Sequence, residues 1–319
     1  MVRAFLIGAG ATKAQYTETP LTSDFFRKLK DKNHELFKSI SNNLPSYIKE
    51  EKPLLEINIE QIMNLSYDFD ESIRNSFIQE VYLSIYELLA VTTESTETDI
   101  NYAINGVLRG LPTLFNKLIN EPRLNDEDFF MTLNYDLYLD REIVYHQKSI
   151  DYGLPKDRIS GNMPLQLNGN NLSVYHLHGA LNWIFDGNSR NDINIAKGAV
   201  MPSWRRGNHN LCLVPPGKKD LYPILKQLWQ VAEERLMKAD ELIIIGCSLN
   251  PDDEELIKLI SKFVNLKGSN KVKIITSNDS QSINNYNKII GQNLRIRSHG
   301  FNLINPSGYE GSLDFIFNN

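Results

Sequence analysis

Cysteine is scarce in this 319-residue sequence, and its scarcity excludes two kinds of covalent or metal support. Cys212 and Cys247 are the only cysteines, so neither a disulfide framework nor a four-cysteine zinc site can be built. Low cysteine content is typical of a reducing compartment. Apolar runs of roughly 18 residues, which could span a membrane, are also missing, and the early run VRAFLI lacks the length and cleavage site of a signal peptide. We therefore expect a cytoplasmic protein with no membrane partner.

An excess of basic residues is missing too. The formal net charge is −5, from 34 lysines and arginines against 39 aspartates and glutamates. A dedicated nucleic-acid-binding domain is usually basic, so direct nucleic-acid binding is not expected. The chain is 41% hydrophobic and 23% charged, as in ordinary globular proteins, and its length suggests about two structural units.

Short apolar runs alternate with amphipathic segments over most of the chain. Buried strands are predicted in VRAFLI, DFFMTLNYD, LSVYHLHG, LCLVPP, DELIIIGCSL, KVKIITSN and NLRIRSHG. Between 23 and 120, apolar residues recur at spacings of three and four, which predicts a block of helices. Residues 150–172 and 186–210 are rich in glycine, proline or polar residues and are expected to be irregular.

Strands that alternate with helices form a parallel sheet covered on both faces. The predicted fold class is therefore α/β: a Rossmann-like parallel sheet with helices on both faces and a large all-helical insertion. We expect residues 1–22 and 121–319 to form one discontinuous α/β domain, and residues 23–120 to form the insertion.

Five polar clusters follow predicted strands: residues 8–12 (GAGAT), 132–136 (TLNYD), 176–179 (HLHG), 246–249 (GCSL) and 276–278 (TSN). The carboxyl ends of parallel strands lie along one edge of a sheet, and ligands bind beyond that edge. We therefore expect all five clusters to meet at one ligand site.

The first cluster, Gly8-Ala9-Gly10, admits two interpretations. Glycines let a backbone approach a pyrophosphate closely, and amides ahead of a helix bind anions. The usual dinucleotide fingerprint, however, has a third glycine where this chain has Lys13. A tight turn after a buried strand explains the same residues.

Polar residues of the second and third clusters also allow structural or chemical roles. Asn134 and Asp136 precede a predicted helix, whose amino terminus either could support. His178 ends a predicted strand, and histidine suits general-base catalysis because it titrates near neutral pH. His176 lies two residues earlier and would face the same side of a strand. A third metal ligand is not evident nearby, so no metal site is expected.

The fourth cluster combines small and hydroxyl-bearing residues. Gly246 and Ser248 could hydrogen-bond phosphates or a ribose, while Cys247 is expected to be a small buried hydrophobe. Asp252 and Asp253 follow closely and are expected to cap the next helix.

Taken in order, the clusters resemble the NAD-binding domain of the sirtuin family. The shared order is GAG followed by a threonine, then T-x-N-x-D, then H-G, then G-x-S-L, and last a strand end with an asparagine. The resemblance runs from Val2 to about Asn278, with the helical insertion outside it. HLHGALNW, LVPPGKK and IIIGCSLNPDDEE look more like the divergent bacterial sirtuin-like domains of antiviral defence than like protein deacylases.

The resemblance implies that NAD is the substrate and assigns roles by position. Asn134 and His178 would be catalytic, with Asn134 orienting the ribose or a water and His178 acting as general base. The implied NAD-binding residues are Gly8, Ala9, Gly10 and Thr12 at the pyrophosphate, Asp136 at the nicotinamide ribose, and Gly246, Ser248 and Asn278 along the phosphates and adenosine.

Two departures argue against protein deacylation. The zinc-bearing deacylases carry paired-cysteine motifs that this chain lacks, and their G-I-P-D-F-R loop is replaced by TETPLTSDFF, in which Pro20 and Asp24 are separated. The resemblance therefore implies an NAD hydrolase that needs no metal and depletes NAD during phage infection. The same pocket could instead serve a sensor of NAD or ADP-ribose, or an assembly subunit. A homo-oligomer or a HerA-type ATPase partner is expected to control it.

Overall fold

A computed structural model describes most of the chain. The described residues are 1–16, 19–46, 48, 53–90, 113–146, 148–161, 171–185, 191–196, 211–215, 222–251, 253–277, 280–291, 294–297 and 306–318. Asn278, assigned to the adenosine side of the site, and Asp252, an expected helix cap, lie outside the described residues, as does much of the helix predicted before residue 120.

Seven strands form a parallel sheet in the order β11-β10-β9-β1-β2-β5-β3. The strands of the two sheets are β1 (Arg3–Ile7), β2 (Phe129–Thr132), β3 (Ser149–Asp151), β4 (Ile159–Gly161), β5 (Asn171–His176), β6 (Gly179–Phe185), β7 (Ile193–Ile195), β8 (Leu211–Leu213), β9 (Glu241–Ile245), β10 (Val272–Ile275) and β11 (Arg295–Arg297). Strands β1, β2, β9 and β10 are buried at every position, as expected where both faces of a sheet are covered. The predicted Rossmann-like sheet is confirmed.

Helices cover this sheet in two groups. The described α-helices are α1 (Ala9–Gln15), α2 (Phe25–Lys32), α3 (His34–Asn43), α4 (Ile59–Ser66), α5 (Glu71–Leu89), α6 (Leu114–Ile119), α7 (Tyr138–Tyr145), α8 (Pro223–Lys238), α9 (Glu254–Lys267), α10 (Ser280–Ile289) and α11 (Pro306–Phe317). Helix α6 contacts α7 and α11, whereas α9 contacts α8 and α10. Right-handed crossovers on either side of β1 place these groups on opposite faces. None of the helices described is long and apolar enough to cross a bilayer.

Helices α2 to α5 form a second hydrophobic core. Fully buried residues such as Leu29, Ile40 and Ile62 belong to it, and so do Leu181 and Leu213 from outside the predicted insertion. The helical segment therefore packs on strands β6 and β8. The boundaries expected for the insertion stay a prediction.

A second sheet corrects the expectation that residues 150–172 and 186–210 are irregular. Strands β4 and β7 lie in those segments and join β6 and β8 in the order β4-β7-β6-β8. Strands of three residues are too short to show an alternating pattern. Strand β7 is held by pairing with the longer β6, and β4 by pairing with β7. Ile193 and Ile195 of β7 are fully buried, which ties this sheet to the main core.

The chain passes from the first sheet to the second at Leu177 and His178. The strand predicted in LSVYHLHG ends at His176, and β6 begins at Gly179. The amide of Leu177 donates to Thr132 in the first sheet, over 2.9 Å. Gly179 has a φ of +82°, and a Cβ there would overlap the carbonyl oxygen of Cys212. The His-Gly pair therefore marks a change of sheet that only glycine accommodates without strain.

Candidate functional site

A cavity of about 570 Å³ opens at the carboxyl ends of β1 and β9. These neighbouring strands lead in opposite directions, β1 towards β2 and β9 towards β10, and ligands bind at such switch points in open parallel sheets. The volume lies within the roughly 300–1,000 Å³ of typical ligand sites. Described wall residues come from all five clusters: Gly8, Ala9, Gly10, Leu133, Asn134, Tyr135, Asp136, His178, Gly246, Cys247, Ser248, Thr276 and Ser277. The predicted convergence is confirmed, while the roles of the residues stay predictions.

The glycines of the first and fourth clusters pack against each other. The amide of Gly8 donates to Ile245 over 3.0 Å, and the amide of Gly10 donates to Gly246 over 2.9 Å. A Cβ on Gly8 would lie 2.6 Å from the carbonyl oxygen of Gly246. The tight-turn interpretation therefore accounts for both glycines. The amides of Gly8, Gly10 and Ala11 each donate to a backbone carbonyl, whereas the amide of Ala9 has no backbone acceptor among the described residues.

Thr12 lies behind the cavity wall and not in it. It is fully buried, and its hydroxyl accepts a hydrogen bond of 2.9 Å from the side-chain amide of Asn134. The same hydroxyl hydrogen-bonds the carboxylate of Asp136. Thr12 therefore links two of the predicted site residues, a contact that its assignment to the pyrophosphate did not anticipate.

Asn134 and Asp136 differ in how far the helix that follows accounts for them. Helix α7 begins at Tyr138 with Leu137 at its cap position, so the helix-capping interpretation of Asn134 is wrong. Asp136 does support the helix, since its carboxylate accepts from the amide of Tyr138 over 3.2 Å. Burial raises the pKa of Asp136 to about 6, because loss of solvent outweighs the hydrogen bonds that favour the carboxylate.

His176 is a buried structural residue. Its Nε2 lies 3.0 Å from the Asp140 carboxylate, and its Nδ1 lies 3.3 Å from the backbone carbonyl of Asn134. Burial opposes the charged imidazole, but the charge of Asp140 and the hydrogen bonds together raise the pKa of His176. Both partners can accept hydrogen bonds, so the two contacts together favour a ring that carries a proton on each nitrogen. His176 thereby fixes the backbone at Asn134, and Tyr152 holds Asp140 with a bond of 2.7 Å.

His178 has a different environment at the cavity wall. Its ring stacks on Trp229 at 6.4 Å between centroids and contacts Tyr135 at 6.5 Å. Its side chain is 1% exposed, yet neither ring nitrogen makes a hydrogen bond to any residue that the structure describes. A buried imidazole without hydrogen bonds, facing a cavity, is the arrangement expected of a group that waits for a ligand.

Asp253 faces His178, which the sequence did not reveal. The Oδ2 atom of Asp253 lies 3.4 Å from Nε2 of His178, within ion-pair distance but without the alignment of a hydrogen bond. Asp253 also caps α9, as expected, by accepting from the amide of Leu256 over 3.3 Å. The sequence held one indication of a second role: Asp252 and Asp253 are consecutive, and a helix cap needs only one acidic residue.

The helical segment supplies one wall of the cavity. Residues Asn58, Ile59, Glu60, Ile85 and Leu89 line it from α4, its cap and α5. Across the wall as described, the charged residues are three carboxylates, those of Glu60, Asp136 and Asp253, and no lysine or arginine is present. Such a lining favours a ligand with a positively charged part. No group of three or more His, Cys, Asp or Glu in the described ranges is arranged to hold a metal.

The fold and the cavity define an α/β protein with a ligand site at the switch point of its parallel sheet. No protein-family profile and no curated protein matches the chain. Among solved structures, the chain is similar to a Sir2 complex with a p53 peptide and NAD⁺, at 12% identity and a TM-score of 0.43, covering 98% of this chain and 92% of that one. It is similar also to a Sir2 complex with the inhibitor EX-527, 2′-O-acetyl-ADP-ribose and deacetylated p53 peptide, at 12% identity and a TM-score of 0.41, covering 99% and 92%. Likenesses this remote carry no argument about function.

Proposed function

We propose that this protein hydrolyses NAD⁺ at the nicotinamide–ribose bond. The observation that carries the proposal is the pairing of His178 and Asn134 in the wall of one cavity, at the place where parallel sheets bind ligands. Their sequence positions also match the catalytic positions implied by the sirtuin resemblance. A site that only binds its ligand does not require a buried imidazole without hydrogen bonds in its wall.

The cavity suits the charge that develops in this reaction. When the C–N bond breaks, its electron pair goes to the nicotinamide nitrogen, and the ribose carbon gains positive charge as in other glycoside cleavages. The carboxylates of Glu60, Asp136 and Asp253 lie in the same wall, where negative charge favours the positive charge that develops on the ribose. Water then forms the new C–O bond and loses its proton.

His178 and Asn134 have complementary parts in that step. His178 accepts the proton from water or from a ribose hydroxyl, the work of a general base. The amide nitrogen of Asn134 is held by Thr12, so its Oδ1 is the atom left to orient the water or the ribose. The products are nicotinamide and ADP-ribose, and the reaction is a hydrolysis that involves no oxidation or reduction.

The rest of the dinucleotide is expected to bind through neutral donors. Ser248, Ser277 and Thr276 bring hydroxyl groups to the cavity wall, and Ala9 brings a backbone amide. Such contacts hold the phosphates without a cation and position the reacting bond, which is how remote binding energy accelerates a reaction. The predicted roles of Gly246 and Asn278 beside them belong to the same proposal.

Incubation of chelator-treated protein with NAD⁺, followed by chromatography for nicotinamide, tests the proposal. We expect nicotinamide and ADP-ribose in equal amounts, and a loss of about 10²–10⁴-fold in His178→Gln. Asn134→Ala should also lose turnover while NAD⁺ binding persists. His34→Gln, a histidine stacked on Phe37 away from the cavity, is the matched control and should keep full activity.

Calorimetry with NAD⁺ separates the other outcomes. Binding without nicotinamide release would replace the enzyme by a sensor of NAD or ADP-ribose. If the protein neither binds NAD⁺ nor releases nicotinamide, the interpretation as an assembly subunit replaces the enzyme.

The proposal includes a role in bacterial antiviral defence, controlled by a homo-oligomer or a HerA-type ATPase. It rests on the sequence resemblance and on the helical segment in the cavity wall, because a partner bound to that segment reaches the pocket through it. Light scattering of the protein alone, with NAD⁺ and with the product of the neighbouring gene, tests the assembly. A strict monomer under all three conditions contradicts it.

A further inference from the structure

We propose that Asp253 is a positioning residue for His178: it holds the imidazole as the Nε2–H tautomer and leaves Nδ1 as the proton acceptor. The inference rests on the proposed function, in which His178 is the base. It adds a residue to which neither the strand-end pattern nor the resemblance gives a chemical role.

Two separate elements bring the pair together. His178 lies in the two-residue crossover between β5 and β6, and Asp253 lies at the start of α9 after β9. Both side chains are almost fully buried, at 1% and 3% exposed, and Nε2 faces Oδ2 at 3.4 Å. A carboxylate next to a buried imidazole on this scale is a strong local field, because little water screens it.

The cap of α9 fixes which oxygen faces the histidine. Oδ1 of Asp253 accepts from the amide of Leu256, so Oδ2 is the oxygen turned towards His178. An ionised carboxylate only accepts hydrogen bonds, and a neutral imidazole carries a single N–H. The proton of His178 is therefore most stable on Nε2, and the lone pair remains on Nδ1, which has no hydrogen-bond partner among the described residues.

Neighbouring contacts keep the ring in this orientation. Trp229 stacks on the imidazole with an angle of 27° between planes, and its Nε1 donates to the carbonyl of Leu177 over 2.8 Å. The backbone and the ring face of His178 are thus both held by one tryptophan. Hydrogen bonds of catalytic groups are often long without ligand and shorten in the complex, and a gap of 3.4 Å is of that kind.

The helix also favours the ionised form of Asp253. Helix α9 runs from Glu254 to Lys267, and its amino-terminal partial charge stabilises a carboxylate at the cap. A merely structural cap needs no histidine beside it, so the two roles give different expectations when the charge alone is removed.

Asp253→Asn removes the charge and keeps the cap, because asparagine is as good a cap as aspartate. With its Oδ1 on the Leu256 amide, the new side chain turns an NH₂ group towards Nε2. A donor there favours the Nδ1–H tautomer, which takes away the base. We expect kcat for nicotinamide release to fall by at least about 10-fold, and by up to about 10⁴-fold as for the same change behind other catalytic histidines, with KM for NAD⁺ little changed.

Nitrogen NMR of the histidine rings at high pH reads the tautomer directly, with the His178 signals assigned by their loss in His178→Gln. We expect Nε2–H in the wild-type protein and Nδ1–H in Asp253→Asn. Asn33→Ala removes the cap of α3, outside the cavity wall, and should lower stability while leaving kcat and the His178 tautomer unchanged.

The outcomes separate the two proposals. An unchanged tautomer in Asp253→Asn overturns the positioning role, whatever the activity. An Nδ1–H tautomer in the wild-type protein overturns it as well. If the tautomers are as expected but the protein releases no nicotinamide, the positioning role of Asp253 is supported and the proposed NAD⁺ hydrolase activity is rejected.

Discussion

The side-chain amide of Asn134 donates to the hydroxyl of Thr12 over 2.9 Å, across 122 positions of the chain. Thr12 is in α1 and Asn134 follows β2, so the bond joins the ends of two neighbouring strands behind the cavity wall. It fixes the amide of Asn134 with its nitrogen inward. The orientation of a predicted catalytic residue thus depends on a threonine that does not reach the cavity.

Replacing Thr12 tests this dependence. Thr12→Val keeps the shape and removes the hydroxyl, while Thr12→Ser keeps the hydroxyl. A lost hydrogen bond of about 0.5–1.5 kcal/mol corresponds to roughly 2–10-fold, and we expect that loss in kcat for nicotinamide release in Thr12→Val and near wild-type kcat in Thr12→Ser. If Thr12 instead held the pyrophosphate, KM for NAD⁺ would rise and kcat would persist.

The buried Asp136 predicts a pH dependence of stability. Its pKa is about 6 in the folded protein against an ordinary value of 3.8, because burial disfavours the carboxylate. Between these values the folded protein binds a proton that the unfolded chain has lost, so this group makes stability fall as pH rises from about 4 to 6. The full loss is about 3 kcal/mol.

Urea denaturation of Asp136→Asn and wild type between pH 4 and 7 measures that loss. The variant cannot titrate here, so its unfolding free energy relative to wild type should improve by about 2 kcal/mol between pH 4 and 7, most of the full effect, whatever its absolute stability. Parallel curves for the two proteins would contradict the buried carboxylate.

Two glycines provide a matched test of the crossover between the sheets. Gly179 and Gly291 both have positive φ, at +82° and +107°, but only Gly179 has a neighbour in the space of a Cβ. Gly291→Ala should cost about 1–2 kcal/mol from backbone strain alone. Gly179→Ala adds a clash with Cys212 worth about 1–3 kcal/mol more, and the difference is measured by urea denaturation. Equal losses would show that the crossover is not tightly packed.

The two cysteines should be unreactive in the folded protein. Cys212 and Cys247 are buried, and burial raises the pKa of Cys247 to about 12. Because the thiolate is the reactive form, at pH 8 only about one Cys247 thiol in 10⁴ is ready to react. We expect slow labelling by a thiol reagent in the native protein, two labelled thiols in urea, and nicotinamide release unaffected by iodoacetamide. Fast labelling of Cys247 would mean that the cavity floor opens.

Long strands and their ends could be predicted from the sequence, because a buried parallel strand such as β9 is a nearly continuous apolar run, here from Leu242 to Ile245. The five clusters could be located for the same reason: each follows directly where an apolar run stops. The second sheet could not, because β4 and β7 have three residues each and exist through pairing, β7 with β6 and β4 with β7.

Contacts between distant residues limited the prediction of the site. The bond between Thr12 and Asn134 depends on the pairing of β1 with β2, and the approach of Asp253 to His178 depends on the order of β5, β2, β1 and β9. A local pattern identifies Asp253 as a cap and Thr12 as part of a turn. The three-dimensional arrangement brings Asp253 next to His178 and Thr12 next to Asn134.

The two-residue crossover at Leu177 and His178 has a mechanical consequence. Two residues span about 7 Å at most, so they leave no slack between the sheets. Any rotation of the smaller sheet, with the helices packed on it, must be absorbed at that crossover by the backbone torsions of this pair. The direction in which the imidazole of His178 points therefore changes together with the angle between the two sheets. A movement of the helices that rotates the smaller sheet would therefore also turn the imidazole of His178.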